Sequence, residues 1–489
     1  MAVLVLGTAS AGYLYYQHLN NNIRSSARSG GESGVKKAAP NAEGDSPLNI
    51  LLIGSDSRNS AENVKLGGSK DTAGDKPRAD VQMLLHISAD RKNSSLVSIP
   101  RDTILHIPEC TDSETGQKYP ATDSSPINES LQRGGPGCTL TTWEKLTGVY
   151  IDHWIMLDFA GVVAMADAIG GVEVCVKTGV WDKPTRLVRG GSGLKLPAGK
   201  NTVQGKQALQ WLRTRHAFGN DQNRAKAQHM YMNSMLRTLK KQNLWSDAGR
   251  LMDLAETATN ALQVSDEIRS VKKLYDLSMQ LKSVPIDRIT MTTMPTAEWS
   301  QDRNKLVPIE KSADTLWRLV REDVAFDKNG KEKKPSASST PSGPPAAEPA
   351  TLGVSVVNGT GVGQTAKDGR ATEVADLLHG KGFAEADTSK DLDPSKDTAV
   401  RYPQEDGAQG KADAQSVAKA LGLPTTAVKA DPKAGGLTVV VGADWRDGTV
   451  YKAPKVEAGD LPEGADDINA ADKSQCMDIY SVYRWDGKS

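Results

Sequence analysis

Arginines crowd one short stretch of this chain. Arg213-Thr214-Arg215-His216 is followed by Asp221 and Arg224, with Gln228 one helical turn further on. Two upstream segments carry the same residue types: Arg78-Ala79-Asp80 opens the apolar run Val81 to Leu85, and Arg101-Asp102-Thr103 follows the strand-like Ser95-Leu96-Val97-Ser98. Brought together, Arg78, Arg101, Arg213, Arg215 and Arg224 would share a cleft with Asp56, Asp80, Asp102 and Asp221. Guanidinium forks match the nonbridging oxygens of a pyrophosphate, and carboxylates suit the hard divalent cation that accompanies it. Phosphoryl transfer asks mainly for such positioning and charge neutralisation, with no covalent nucleophile. Spacing supports a common face. Arg224 and Gln228 are four apart on an expected helix, and Arg213 and Arg215, two apart, point to one side if their segment is extended. Each residue type also has an ordinary use. Asp56 after a strand caps a turn, Arg101-Asp102 makes a surface ion pair, and arginines on an edge strand are simply solvated. His216 is expected to be structural, and Met230, Met232 and Met235 to belong to a helix core.

The elements that must position these groups follow from hydrophobic patterning. Leu48 to Ile53 is a strand running into the polar loop Gly54-Ser55-Asp56-Ser57-Arg58. From there to about Asp327 strand-like runs alternate with helical stretches such as Phe159 to Ile169, the pattern of a layered α/β domain. Residues 328–350 turn charged and then rich in Pro, Ser and Ala, an extended linker. A second small α/β unit is expected over 351–447, with strands near Val354 and Leu437 and helices over Arg370 to His379 and Ala412 to Leu421. The remaining 448–489 read as a polar, poorly ordered tail apart from whatever Cys476 secures.

A chain of 489 residues implies two or three domains. Lys plus Arg balance Asp plus Glu at 60 each, so any anion binding is local and nucleic acid is not an expected partner. At the N-terminus, Ala2 to Tyr16 is an apolar stretch close to the ~20 residues a membrane helix needs. Residues 1–19 are therefore expected to be a transmembrane signal anchor, and 20–46, rich in Ser, Gly, Asn and Ala, a flexible stalk. With no Lys or Arg ahead of the apolar run, the natural start is expected to lie upstream of Met1. The four cysteines lack metal-ligand spacing. In an exported body, Cys110 and Cys138, both in Pro- and Gly-rich loop sequence, suit a disulfide. Cys175 fits equally a buried thiol or a bridge to Cys476.

Read in order, Asn49 to Arg58, Arg78-Ala79-Asp80, Ser98 to Thr103, Ile127-Asn128, Ile151 to Trp154, Asp158-Phe159, Ile169 to Val174 and Arg213 to His216 closely resemble the LytR-CpsA-Psr proteins. These are membrane-anchored enzymes that ligate glycopolymers to bacterial peptidoglycan. The second unit, with Val356 to Thr360 and Val440 to Ala443, resembles the C-terminal domain often attached to them, and the cysteines near Cys110 and Cys138 look like the actinobacterial branch. The resemblance implies roles by position. Asp56 and Asp80 would hold magnesium (or manganese) on a pyrophosphate, while Arg78, Arg101, Arg213, Arg215 and Arg224 would grip its oxygens beside Gln228. Asp221 would orient an arginine or support the metal site. Asp102 would do the same or accept the proton of the incoming hydroxyl. Where relatives often read Arg-Gln-Gln after the equivalent of Arg224, this chain has Ala227-Gln228-His229, one basic group fewer.

The expected fold is α/β, a central mixed sheet flanked by helices over 47–327, with the smaller α/β unit after the Pro-rich linker. The resemblance implies an extracytoplasmic phosphotransferase acting on a polyprenyl-pyrophosphate-linked glycopolymer, with peptidoglycan as acceptor and membrane lipid as surroundings. Val81 to Leu85 and the helix after Arg224 are expected to enclose the prenyl chain. Two rival readings are a hydrolase, in which water replaces the sugar hydroxyl, and a binding protein that attenuates transcription.

Overall fold

The computed structural model describes residues 2–38, 40–41, 44–57, 76–186, 188, 190–219, 221–241, 248–328, 344–362, 364–395, 397–424, 427–432, 434–452 and 456–487, with the side chains of 2–9, 221 and 248 left aside. Arg58 and most of the expected 328–350 linker lie outside these residues. Two compact units result, Met1–Lys334 together with Val456–Ser489, and Pro335–Lys455.

The first unit is built on an eight-stranded mixed sheet. In chain order its strands are β1 (Arg24–Ser26), β2 (Leu48–Ser55), β3 (Ala79–Ile87), β4 (Ser94–Ser98), β5 (His153–Leu157), then β6 (Val172–Val176), β7 (Gly179–Trp181) and β8 (Gly199–Val203) in smaller sheets, and β9 (Gln263–Ser265), β10 (Ile289–Thr293) and β11 (Asp467–Asn469) back in the main one. The spatial order is β1-β9-β5-β2-β3-β4-β10-β11. β2 pairs antiparallel with β3, Leu51 opposite Leu84, and parallel with β5, Leu51 opposite Trp154.

Strand period explains how one apolar run serves two cores. Leu51 and Ile53 of β2 join one cluster with Trp143, Trp154 and Leu316, while Leu48 and Ile50 join another with Met83, Leu85 and Met291. Alternate side chains thus cover opposite faces, both roofed by helices, so the strand reads as continuously hydrophobic. The helices are α1 (Ala2–Asn22), α2 (Gly135–Thr147), α3 (Phe159–Ala168), α4 (Gly205–Arg213), α5 (Asp221–Lys241), α6 (Ala248–Ala261), α7 (Val271–Ser283) and α8 (Glu310–Arg321). Buried on β3, Gln82 accepts from Trp143 Nε1 at 2.7 Å through Oε1 and donates to the Ala79 carbonyl at 3.2 Å. Its polar head is satisfied where an unpaired amide would be costly.

Two expectations fail here. The stalk over 20–46 is a strap laid along the body wherever it is described: β1 pairs with β9, Arg28 reaches the buried Glu144 at 2.9 Å, and Lys37 reaches Asp152 at 2.5 Å. Gly30 lets the strap cross the start of α2, since a Cβ there would lie 2.7 Å from the Cys138 nitrogen. Low hydrophobicity concealed this, because the strap is held by ion pairs and backbone bonds. The tail is the second correction. From Val456 it belongs to the first unit, supplying β11, a short strand β12 (Arg484–Trp485) against β7, and the buried Met477, Ile479 and Tyr483. Disulfides join Cys110 to Cys138 and Cys175 to Cys476.

No helix among the described residues is long and apolar enough to cross a membrane. The C-terminal half of α1 docks on the body, with Tyr15, His18 and Asn22 all bonded to Glu256 of α6.

The second unit has a five-stranded sheet in the order Ala386–Leu392, Val354–Asn358, Leu437–Val441, Ala399–Pro403, Val428–Asp431. Helices Arg370–His379 and Gly407–Leu421 close its own core around Val356, Val374, Val417 and Val439. Arg370, 1% exposed, donates to the carbonyls of Trp445 and Gly448 and to Glu373, which fixes the chain's exit from the last strand.

Candidate active site

The ends of β2 and β3 start the site. Gly54 allows the two strands to close up, as a Cβ there would sit 2.9 Å from that of Val81. A register shift then pairs Ser55 with Ala79, which sets Asp56 and Asp80 just beyond and beside that pair. Asp56 is held on both sides: its Oδ1 accepts the Arg78 backbone N–H at 2.6 Å and its own N–H donates to the Arg78 carbonyl at 3.1 Å. Arg101, in the turn after β4, donates Nη1 to Asp80 at 2.8 Å and Nε to Asp102 at 3.3 Å. The other Asp102 oxygen accepts Lys305 Nζ at 2.8 Å. Burial alone would raise the Asp102 carboxyl, but the Lys305 hydrogen bond and the charges of Arg101, Lys305 and Arg224 outweigh it and hold it below the usual carboxylate range.

The facing wall comes from helices. Asp158 caps α3 by accepting from Gly161 N at 2.9 Å, and the Arg213 guanidinium lies 4.9 Å from the centre of the Phe159 ring, a cation–π contact. α4 stops at Arg213 because Thr214 turns extended, with φ −64° and ψ 120°. Thr214 is fully buried, bonded to the Gln210 carbonyl at 2.7 Å and to Ser192 Oγ at 2.6 Å. Arg213 and Arg215 therefore flank an anchored residue at a helix end, where an extended segment was expected. On α5, Arg224 and Gln228 are 8% and 6% exposed, and Gln228 donates to the Leu212 carbonyl at 3.2 Å.

These groups line one open cleft of about 850 Å³. Asp56, Arg78, Asp80, Arg101, Asp102, Arg213, Arg215, Arg224 and Gln228 all face it, and so does His216. Asp221 is the first residue of α5, and its side chain lies outside the described residues. Met230 is core, with Met232 and Met235 packed on it. Of the strand expected to enclose a prenyl chain only Val81 reaches the cleft. Leu84 and Leu85 are spent on the two cores, and the apolar wall is instead Leu157, Phe159, Val162, Leu209 and Leu212.

Sequence reasoning missed several lining or supporting groups. Lys305 lies in a polar β-hairpin with no signal of its own. Asn128 was visible only as part of a matched motif; its Oδ1 is buried with no partner among the described residues. Asp182, 1% exposed, accepts from Ser192 N at 2.8 Å through Oδ2, and its Oδ1 likewise lacks a partner among the described residues. For a metal, Asp56 and Asp80 offer two carboxylates at one end of the cleft. Among the described residues no three His, Cys, Asp or Glu side chains gather to hold an ion by themselves. Two carboxylates fit magnesium, which keeps water or phosphate oxygens as its other ligands.

An α/β body that gathers five arginines and several aspartates in one cleft presents the kind of lining that phosphate oxygens call for. The chain belongs to the LytR-CpsA-Psr family, whose model matches residues 12–322. A second model, described as LytR cell envelope-related transcriptional attenuator, matches 351–445. The cell wall biosynthesis protein LcpA of Corynebacterium glutamicum is 26% identical over 97% of this chain and 88% of its own length. The polyisoprenyl-teichoic acid–peptidoglycan teichoic acid transferase TagT of Bacillus subtilis is 26% identical over 59% of this chain and 83% of its own. Among solved structures, a LytR-Csp2A-Psr enzyme from Actinomyces oris aligns at 17% identity and TM-score 0.42, covering 60% of this chain and 97% of that one.

Proposed function

We propose that the first unit is an extracytoplasmic phosphotransferase that moves a glycopolymer from a polyprenyl-pyrophosphate carrier onto a peptidoglycan hydroxyl. The observation that carries this reading is the convergence of Arg78, Arg101, Arg213, Arg215 and Arg224 with Asp56 and Asp80 on one cleft that also has an apolar wall. The arginines bind the nonbridging oxygens of the diphosphate. A sugar hydroxyl attacks the phosphorus nearer the polymer, a new P–O bond forms as the bond to the bridging oxygen breaks, and polyprenyl phosphate leaves, its phosphate taking up the hydroxyl proton. Magnesium held by Asp56 and Asp80 would add neutralising charge at the diphosphate. The apolar wall of Leu157, Phe159, Val162, Leu209 and Leu212 supports a place for the first isoprene units.

Asp102 serves this chemistry as an anchor for Arg101 and Lys305. A carboxylate held below its usual range between two cations is a weak proton acceptor, which favours the orienting role over the basic one. The name of the Bacillus subtilis relative, a teichoic acid transferase to peptidoglycan, supports ligation over hydrolysis. Location at the cell envelope, with the N-terminal segment as anchor, belongs to the same proposal. The second unit, whose described side chains gather no comparable cluster, is proposed to be an accessory wall-binding module.

The test is transfer from a polyprenyl-pyrophosphoryl disaccharide to a soluble peptidoglycan oligomer, followed by mass. A phosphodiester-linked conjugate that vanishes in Asp80→Ala supports the site. Full transfer by Asp80→Ala with magnesium present refutes it.

A further inference from the structure

Beyond residue 455 the chain returns to the first unit, past both matched segments, 12–322 and 351–445. Its path there is fixed by backbone bonds as well as by the Cys175–Cys476 bridge. Met477 N donates to the Cys175 carbonyl and Lys177 N to the Met477 carbonyl, each at 2.9 Å. β12 then pairs with β7, Gly179 opposite Trp485. Between these points the Tyr480 N–H donates to the Ala217 carbonyl at 2.9 Å, two residues beyond Arg215. Ile479 and Tyr483 are buried in the same cluster as Trp211 and Phe218, the aromatics that bracket the Arg213 to Ala217 turn and meet edge to face at 5.1 Å. β7 itself runs into Asp182, which lines the cleft. The returning segment therefore supports the arginine turn and the wall beside it without reaching the cleft.

We propose that residues 476–485 are a positioning element for the reaction, holding Arg213 and Arg215 in register with the diphosphate through the Tyr480–Ala217 backbone bond and the β7–β12 pair. The proposal rests on the phosphotransferase reading of the cleft. Its physical basis is that transition-state contacts are steeply distance-dependent, so a turn free to shift by about 1 Å forfeits much of their value. A segment that looks dispensable by composition thereby becomes part of the catalytic unit.

Tyr480 has φ −60°, which proline adopts, and the residue is 60% exposed. Tyr480→Pro in the full chain thus removes the donor N–H and sets a ring carbon where that hydrogen met the Ala217 carbonyl, which abolishes the bond and pushes on the turn it holds. With the disaccharide donor and peptidoglycan oligomer above, kcat should fall about tenfold while the acceptor KM stays within about twofold, and the thermal midpoint should move by less than about 5 °C. Gly179→Ala, whose added methyl would collide with the Trp485 carbonyl, should reproduce the same split if Tyr480→Pro does not fold. The exposed Met252→Ala on α6 should leave kcat unchanged. A parent-like kcat in the folded variant, or a fall matched by an equal loss of folded protein, overturns the proposal. Arg213→Ala run in parallel separates the two claims: if it keeps full kcat, the reading of the cleft fails, and if it alone loses activity, only the positioning role does.

Discussion

Arg101 ties two acidic groups of the cleft together, donating to Asp80 at 2.8 Å and to Asp102 at 3.3 Å, while Lys305 takes the other Asp102 oxygen. Removing a buried charge from such a set leaves its partner uncompensated, so single substitutions should act on both position and charge. Arg101→Ala or Arg213→Ala should lower the transfer rate by ~10²–10³ in steady-state assays, with folded protein retained. Lys305→Met should raise the Asp102 pKa, because one of the groups that lowers it is lost. The acid limb of kcat/KM should then move to higher pH; an unmoved limb would remove Asp102 from the titrating groups. The arginines, Asp56, Asp80, Asp102 and Gln228 were legible because charged residues in ordered motifs have few structural uses together. Lys305 and Asp182 were not, because a lone charge in a polar hairpin or loop carries no pattern until the fold brings it to its neighbour.

The sheet and α5 meet at His229, which is fully buried, bonded to Ser98 Oγ at 2.9 Å, and pushed down to about 4 by burial. An unfolded histidine titrates near 6.5, so the unfolded chain takes up a proton first. Stability is therefore intact above about pH 6.5, and on acidification toward pH 4 should lose on the order of 3 kcal/mol at this site. His229→Gln should flatten that limb in urea unfolding followed from pH 7 to 4, and an unchanged limb would place the acid sensitivity elsewhere. Element types were readable wherever period and length agreed, as for β2, β3 and the helix carrying Arg224 and Gln228. The expected extended geometry at Arg213 and Arg215 failed because a helix end and a turn bring residues two apart to one side as well. β1 and β11 were unreadable for another reason. Three-residue strands of mostly polar residues owe their existence to the sheet edges they pair with, not to propensity.

At the scale of the molecule, the second unit is inserted in sequence between two parts of the first. A chain ended at Lys455 would lose β11, β12, the buried Met477 and the bridge to Cys175 together. The first unit without that return should unfold at lower temperature than the full chain, by a calorimetric shift of several degrees; an equal midpoint would make the return ornamental. The tail was misread because its composition is polar and its few apolar residues, Met477, Ile479 and Tyr483, find their core only through the distant β6 and β7. The second unit has a core of its own and should sediment with purified peptidoglycan as residues 335–455, while recovery in the supernatant alone would remove the wall-binding role. The central claim is that the cleft forms a phosphodiester between a carrier-linked glycan and peptidoglycan. Its most direct test is mass spectrometry of the full chain incubated with magnesium, the polyprenyl-pyrophosphoryl disaccharide and a peptidoglycan oligomer. The account predicts a conjugate heavier than the acceptor by the phosphodisaccharide, with one polyprenyl phosphate released per conjugate and both products formed ~10²–10³ more slowly by Arg213→Ala. Phosphodisaccharide released to water with the acceptor mass unchanged would contradict it.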